Sequence, residues 1–174
     1  MCAQNWQLAR LDDLVQDYLT LVRVHTIQRE VQDLGGALAD WSREFQGVVA
    51  AHGGQLQVEG IEQLGLVAFH ANTLRRALLN LVQNAVEVLS PGSTVTLTGQ
   101  GTTAQVQLQV RDTGSGIAAA QLPTIFEPLY TTKPGETGLG LYIVQQIVAA
   151  HGDQVTVASQ VGQGTTVTIT LPRS

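Results

Sequence analysis

Four clusters of polar residues along this chain have types and spacings that could do chemistry. In the first, Asp112-Thr113-Gly114-Ser115-Gly116-Ile117 follows an alternating apolar segment. A carboxylate at a strand exit, with two glycines opening the backbone beside it, is a fixed acceptor for an exocyclic amine such as that of adenine. Read alone, Asp-Thr-Gly is equally ordinary turn chemistry. In the second, Arg76, Asn80 and Asn84 recur every four residues, with Glu87 near them, so the three share one helical face. An amide offers a neutral oxygen to a magnesium ion, while its nitrogen donates to a phosphate oxygen. A plain hydrogen-bonded polar face would look the same. The third is Thr131-Thr132-Lys133, two hydroxyls and an ammonium able to reach phosphate oxygens. Thr137-Gly138-Leu139-Gly140-Leu141 is the fourth. Its glycines open a helix whose first N–H groups and dipole favour an anion.

Two familiar phosphate-binding motifs are absent. No Gly-x-x-x-x-Gly-Lys-Ser/Thr occurs. A dinucleotide fingerprint would need glycine three residues after Gly140, where Ile143 stands.

Periodicity predicts the elements that carry these clusters. Leu8, Leu11, Leu14, Val15, Tyr18, Leu21 and Val22 describe a helical stripe over 8–25. Little else near the chain start could cover it, so it is expected to pack on a partner helix. Further helices are predicted over 34–52, ending at Gly53-Gly54, over 71–89, closed by Ser90-Pro91-Gly92, and over 141–151. Strands are predicted over 55–59, 66–69, 94–98, 106–110, 155–158 and 165–171, the third and fourth as a hairpin. The expected fold class is α+β, a two-layer α/β sandwich with a mixed sheet covered on one face by helices, plus an N-terminal helix.

Bulk composition narrows the function further. The 174 residues suit one domain with a modest extension. A net charge of −5 leaves no cation excess for neutralising nucleic-acid phosphates. No apolar stretch approaches a membrane span. The lone Cys2 forms neither an internal disulfide nor a cysteine metal cluster. A cytoplasmic setting is expected. Of the nine cations, Lys133 is the single lysine.

In order, the motifs resemble the ATP-binding domain of sensor histidine kinases, within the Bergerat-fold family shared with gyrase, MutL and a heat-shock chaperone. Leu78-Leu79-Asn80-Leu81-Val82-Gln83-Asn84-Ala85 resembles the N box, and 112–117 the first glycine box. Residues 125–133 resemble the F box, 137–141 the second glycine box, and Gly162-Gln163-Gly164-Thr165 the closing one. Five motifs in order are far more specific than any one. The Pro128-Leu129-Tyr130-Thr131-Thr132-Lys133 form and the short lid resemble nitrogen-regulation-type kinases in particular.

The resemblance implies ATP and magnesium as cofactors. Asn84 would coordinate the metal, with Asn80, Arg76 and Glu87 near the phosphates. Asp112 would receive the adenine amino group, Gly114, Gly116 and Ile117 would surround the base, and Thr165 would support it. Thr131, Thr132 and Lys133 would form the lid, and Thr137, Gly138, Leu139, Gly140 and Leu141 would wrap the triphosphate. Two departures stand out. Glu136 replaces a usual glycine, adding negative charge near the phosphates, and Glu87 replaces a frequent lysine. In hydrolytic relatives a glutamate four residues before the metal-binding asparagine activates water, and here that position is Asn80, which is no base.

Residues 1–28 resemble the second helix of a dimerisation region, and 29–174 the catalytic ATP-binding domain. His25, His52, His70 and His151 lack the surroundings of a phosphate-acceptor box and read as surface or element-end residues. The acceptor histidine is then expected on a helix before Met1 in the parent protein. A homodimer through the N-terminal helix and a response regulator are the other expected partners. Three rival readings remain. One is a dimeric aspartic protease built on Asp112-Thr113-Gly114, which leaves the long helix over 71–89 unexplained. Another is a nucleotide-sensing pseudo-kinase, and the third a relative that phosphorylates protein serine.

Overall fold

The computed structural model describes residues 2–174, with side chains from Leu11 onward. Four helices and seven strands run in the order α1 (Cys2–Val24), β1 (Glu30–Asp33), α2 (Leu34–Ala51), β2 (Gln55–Glu59), β3 (Leu66–Phe69), α3 (Ala71–Glu87), β4 (Thr94–Gly101), β5 (Gln105–Arg111), α4 (Gly140–Ala150), β6 (Val155–Gln160) and β7 (Gly164–Pro172). Short 3-10 turns occupy Ile61–Gln63 and Leu122–Thr124.

Five strands form a mixed sheet in the order β2-β4-β5-β7-β6, with β2 and β4 parallel and the rest antiparallel. Period-two alternation decides which face is buried. Val95 and Leu97 of β4, Val106, Leu108 and Val110 of β5, and Val167, Ile169 and Leu171 of β7 all point into the core. Register stacks them in rows, Leu97 against Val110 and Val110 against Val167. The intervening glutamines and threonines face away from the helices, as expected of an antiparallel sheet with one solvated side.

Helices cover the apolar face. In α3, Leu74, Ala77, Leu78, Leu81, Val82, Ala85 and Val86 are buried at helical spacing. In α4, Ile143, Val144, Ile147 and Val148 do the same, and α2 adds Leu38, Phe45 and Val49. Each fully buried leucine or isoleucine contributes about 1.5–3 kcal/mol of transfer free energy. The result is a two-layer α+β sandwich, which excludes the small all-β architecture of the protease reading.

Two features differ from the sequence expectation. β1 pairs with β3 in a separate antiparallel ribbon, Glu30 opposite Phe69 and Asp33 opposite Leu66. Its residues are mostly exposed, so backbone pairing rather than side-chain burial holds it, and no alternation announces it. In α1, Val24 is fully buried and Leu21 packs on the core, whereas Leu11, Val15, Tyr18 and Val22 remain exposed. Leu8 lies outside the described side chains.

Candidate functional site

A pocket of about 580 Å³ opens between α3, the exit of β5, the loop 115–139 and the start of α4. That volume is ordinary for a small-molecule site. Its position follows from the register. Val110 pairs with Val167, which brings the residue beyond β5 against the start of β7. There Asp112 is held by three backbone contacts. Its N–H donates to the Thr165 carbonyl at 2.9 Å. Its Oδ1 accepts from the N–H groups of Gly114 at 2.8 Å and Thr165 at 3.3 Å. Both bonds land on Oδ1, which leaves Oδ2 for a ligand. Burial pushes the Asp112 carboxyl above its usual range, and the two backbone donors partly oppose that.

Around this floor, Gly116 and Ile117 line the pocket. Gly116 has φ +70, and an added Cβ would lie 2.1 Å from the Gln160 carbonyl oxygen, so the turn requires glycine. Ser159 ties the floor together, its Oγ accepting from the Ile117 N–H and lying 2.8 Å from the Thr165 hydroxyl. Gly114 is placed elsewhere. It packs under the end of α3, where a Cβ would meet the Val88 carbonyl oxygen at 2.6 Å.

The helical face of Arg76, Asn80 and Asn84 divides by depth. Asn84 lines the pocket. Asn80 is buried, does not line the pocket, and donates to the Gly140 carbonyl at 3.3 Å. It therefore braces the start of α4 against α3. Arg76 lines the pocket but is committed elsewhere: its Nη2 lies 2.7 Å from Asp17 Oδ1, while its Nε is buried without a partner. The second Asp17 oxygen accepts from the Thr137 hydroxyl at 3.4 Å. Asp17, 7% exposed, and Asp13 both line the pocket from α1. The sequence reading missed both. An acidic residue beside an apolar stripe gives no signal of its own.

On the other wall, Gly138, Gly140 and Leu141 bring the start of α4 to the pocket, while Leu139 turns away and packs on the core. The Leu139 N–H is capped by the Thr137 hydroxyl at 3.2 Å, and the first helical bond runs from Ile143 N–H to the Leu139 carbonyl. The N–H groups of Gly140 and Leu141 thus precede the helical ladder and are free for an anion. Gly138, at φ +69, abuts the Leu129 backbone, itself at φ 65. This tight crossing fixes the base of the lid.

Thr131, Thr132 and Lys133 line the pocket as the lid. The Lys133 ammonium is engaged by two carboxylates, Glu87 directly and Glu136 at 3.7 Å. Glu136 Oε2 also faces the Thr131 hydroxyl at 3.3 Å. Burial raises the Glu136 pKa first, the nearby Glu87 raises it further, and Lys133 opposes both.

All four histidines sit at element ends. His25 follows α1, His52 is the C-cap of α2 and His70 the N-cap of α3. His151, the C-cap of α4, departs from the surface expectation by being fully buried. Its Nδ1 lies 2.7 Å from the Ile147 carbonyl, and its Nε2 accepts from the His70 N–H at 3.1 Å.

Comparison with known proteins agrees with this geometry. The family described as histidine kinase-, DNA gyrase B-, and HSP90-like ATPase matches residues 69–174. The chain is 34% identical over 163 residues to sensor histidine kinase ZraS of Escherichia coli (strain K12), covering 94% of this chain and 35% of that protein. It is 28% identical over 167 residues to sporulation kinase E of Bacillus subtilis (strain 168), covering 95% and 23%. The chain thus spans about a third or less of these relatives' length. Among solved structures, full-length ShkA in complex with AMPPNP superposes with a TM-score of 0.80 at 28% identity, over 93% of this chain and 35% of that one. The mycobacterial sensor histidine kinase MprB gives 0.69 at 26%, over 83% and 97%.

Proposed function

Because this chain belongs to the family of histidine kinase-, DNA gyrase B- and HSP90-like ATPases, we propose that it is the ATP- and magnesium-binding catalytic unit of a two-component sensor histidine kinase. The γ-phosphoryl group passes to a histidine that this chain does not supply. The observation that carries this reading is the single pocket shared by Asn84, Asp112 and Gly138, from α3, the exit of β5 and the start of α4.

Each wall has a role. Asp112 Oδ2 accepts the adenine amino group, and Ile117 lies along the base. The Gly140 and Leu141 N–H groups, with Lys133, bind the phosphate tail. The donor set also fits magnesium. Asn84 offers one neutral oxygen, and among the described residues no group of three histidines, cysteines or carboxylates could hold a metal by itself. Asn84 would hold the ion, and a magnesium ion bound there would supply positive charge to offset that of the transferring group.

Asn80 cannot take a proton from water, and its amide is spent on Gly140. Hydrolysis therefore lacks a base at that position of the helix, and the bound nucleotide persists until a nucleophile arrives. That nucleophile sits on a partner helix docked by the exposed apolar row of α1, in a homodimer whose phosphoryl group continues to a response regulator. No described helix is long and apolar enough to cross a membrane.

Titration with magnesium and AMPPNP in a calorimeter tests the reading. Saturable heat at millimolar nucleotide or below is expected and, with ATP in place of AMPPNP, phosphorylation of a separately supplied acceptor-helix fragment and none of the chain itself. Absence of heat at millimolar nucleotide would overturn it, and acid-labile self-labelling would place the acceptor on this chain.

A further inference from the structure

The cations that line the pocket are Arg76 and Lys133, set among five carboxylates, Asp13, Asp17, Glu87, Asp112 and Glu136. Both cations are already paired, Arg76 with Asp17 and Lys133 with Glu87 and Glu136. An anionic ligand must therefore win its cationic donors from acids of the chain itself. We propose that Glu136 is an internal competitor for the phosphate tail, holding the Thr131 hydroxyl and the Lys133 ammonium so that a nucleoside triphosphate gains them only as Glu136 leaves. On this view Glu136 sets affinity for the tail and leaves affinity for the base unchanged. The inference rests on the nucleotide reading above.

Geometry singles out Glu136. Its Oε2 faces Thr131 Oγ1 at 3.3 Å and its Oε1 faces Lys133 Nζ at 3.7 Å, so one carboxylate spans both lid donors. Thr131 also receives the Lys133 N–H at 3.1 Å, which makes the three residues one closed cluster. Glu87 pairs with the same ammonium but not with the Thr131 hydroxyl. It terminates α3, and its backbone is fixed by that helix. Glu136 instead follows Gly135, at φ +91, in the loop before α4. That glycine gives the segment backbone freedom to swing the carboxylate aside. Two carboxylates crowd a single ammonium here, and their repulsion eases the departure of the mobile one.

Calorimetry on the full chain, with magnesium and AMPPNP or with adenosine as probes, tests this. Glu136→Gln keeps the size and removes the charge. It is expected to tighten AMPPNP about three- to tenfold, the range for removing one half-buried, partly screened charge contact. Adenosine, lacking the tail, should stay within about twofold. In a Thr131→Val/Lys133→Gln background the gain should vanish, because the donors being competed for are gone. An unchanged AMPPNP affinity would overturn the inference, as would an equal gain for adenosine. A gain that survives undiminished in the donor-less background would overturn it too, pointing to a bulk field effect. These failures leave AMPPNP binding intact. If instead no variant binds either probe, the nucleotide reading itself is lost and this inference with it.

Discussion

Replacing Asp112 by asparagine separates what this residue does for the ligand from what it does for the fold. The backbone N–H groups of Gly114 and Thr165 both bond Oδ1, so an asparagine keeps its carbonyl oxygen there and must turn its NH2 toward the pocket. A donor then faces the donor of an exocyclic amine. The loss combines a hydrogen bond to a charged acceptor with an unpaired buried donor, together about 2–4 kcal/mol, or about 30- to 700-fold in affinity. The fold responds in the opposite sense. Burial raises the Asp112 pKa in the native state, so at neutral pH its charge costs the native state free energy, and the amide removes that cost. The expected result is AMPPNP affinity lost by that factor, with a melting temperature in the absence of nucleotide unchanged or higher. Calorimetric titration and a thermal melt of the same samples read both quantities. Affinity within about threefold of the parent would refute the assigned role, since even one lost charged hydrogen bond exceeds that. A melting temperature that fell in parallel with affinity would refute the argument that Asp112 is held at the fold's expense.

Two further predictions concern what surrounds the pocket. The Asp17–Arg76 pair is 10% and 32% exposed at its side chains, which places its coupling above that of a surface pair, at about 1–2 kcal/mol. A double-mutant cycle of Asp17→Ala and Arg76→Ala in urea denaturation should return that value, and coupling below about 0.3 kcal/mol would show that α1 is not fastened there. His151 has its pKa lowered, chiefly by burial, with Arg29 and His70 adding to the effect and the Ile147 carbonyl opposing it. A depressed native pKa means stability is fully present above the unfolded value, about 6.5, and is lost as pH falls through the folded value. The parent should therefore lose melting temperature on acidification below about pH 6.5 more steeply than His151→Gln, whose amide can serve the same two bonds without titrating. Parallel slopes would remove His151 as the cause.

What the sequence disclosed and what it withheld divide along physical lines. The strands of the main sheet were legible because one face is buried and the other wet, so β2 falls on 55–59 as expected; β3, in the separate ribbon, also falls on 66–69. Helix α3 was expected to reach residue 89 and ends at Glu87. Val88 and Leu89 continue the apolar character but belong to the turn before Pro91. β1 left no trace because its pairing is carried by the backbone. At the site, the order of the motifs and the resemblance it carries pointed to Asn84, Asp112 and Gly138 around one ligand, and all three line one pocket. The positions of Asn80, Gly114 and Leu139 were harder to foresee. Each lies in the right motif but faces a neighbouring element, and which way a side chain faces within a motif is decided by packing. The same holds for Lys133, whose partners Glu87 and Glu136 meet only when α3 and the lid come together.

The bond from Asn80 to the Gly140 carbonyl changes how alanine scans of such a pocket should be interpreted. This amide governs the tilt of the very turn that would grip an anion, yet it stands a layer behind that turn. Truncating it would weaken a ligand through leverage on the scaffold, and the measured loss would pass for a lost contact. Only a distance to the bound molecule, and never a binding constant by itself, could tell a grip from a hinge pin.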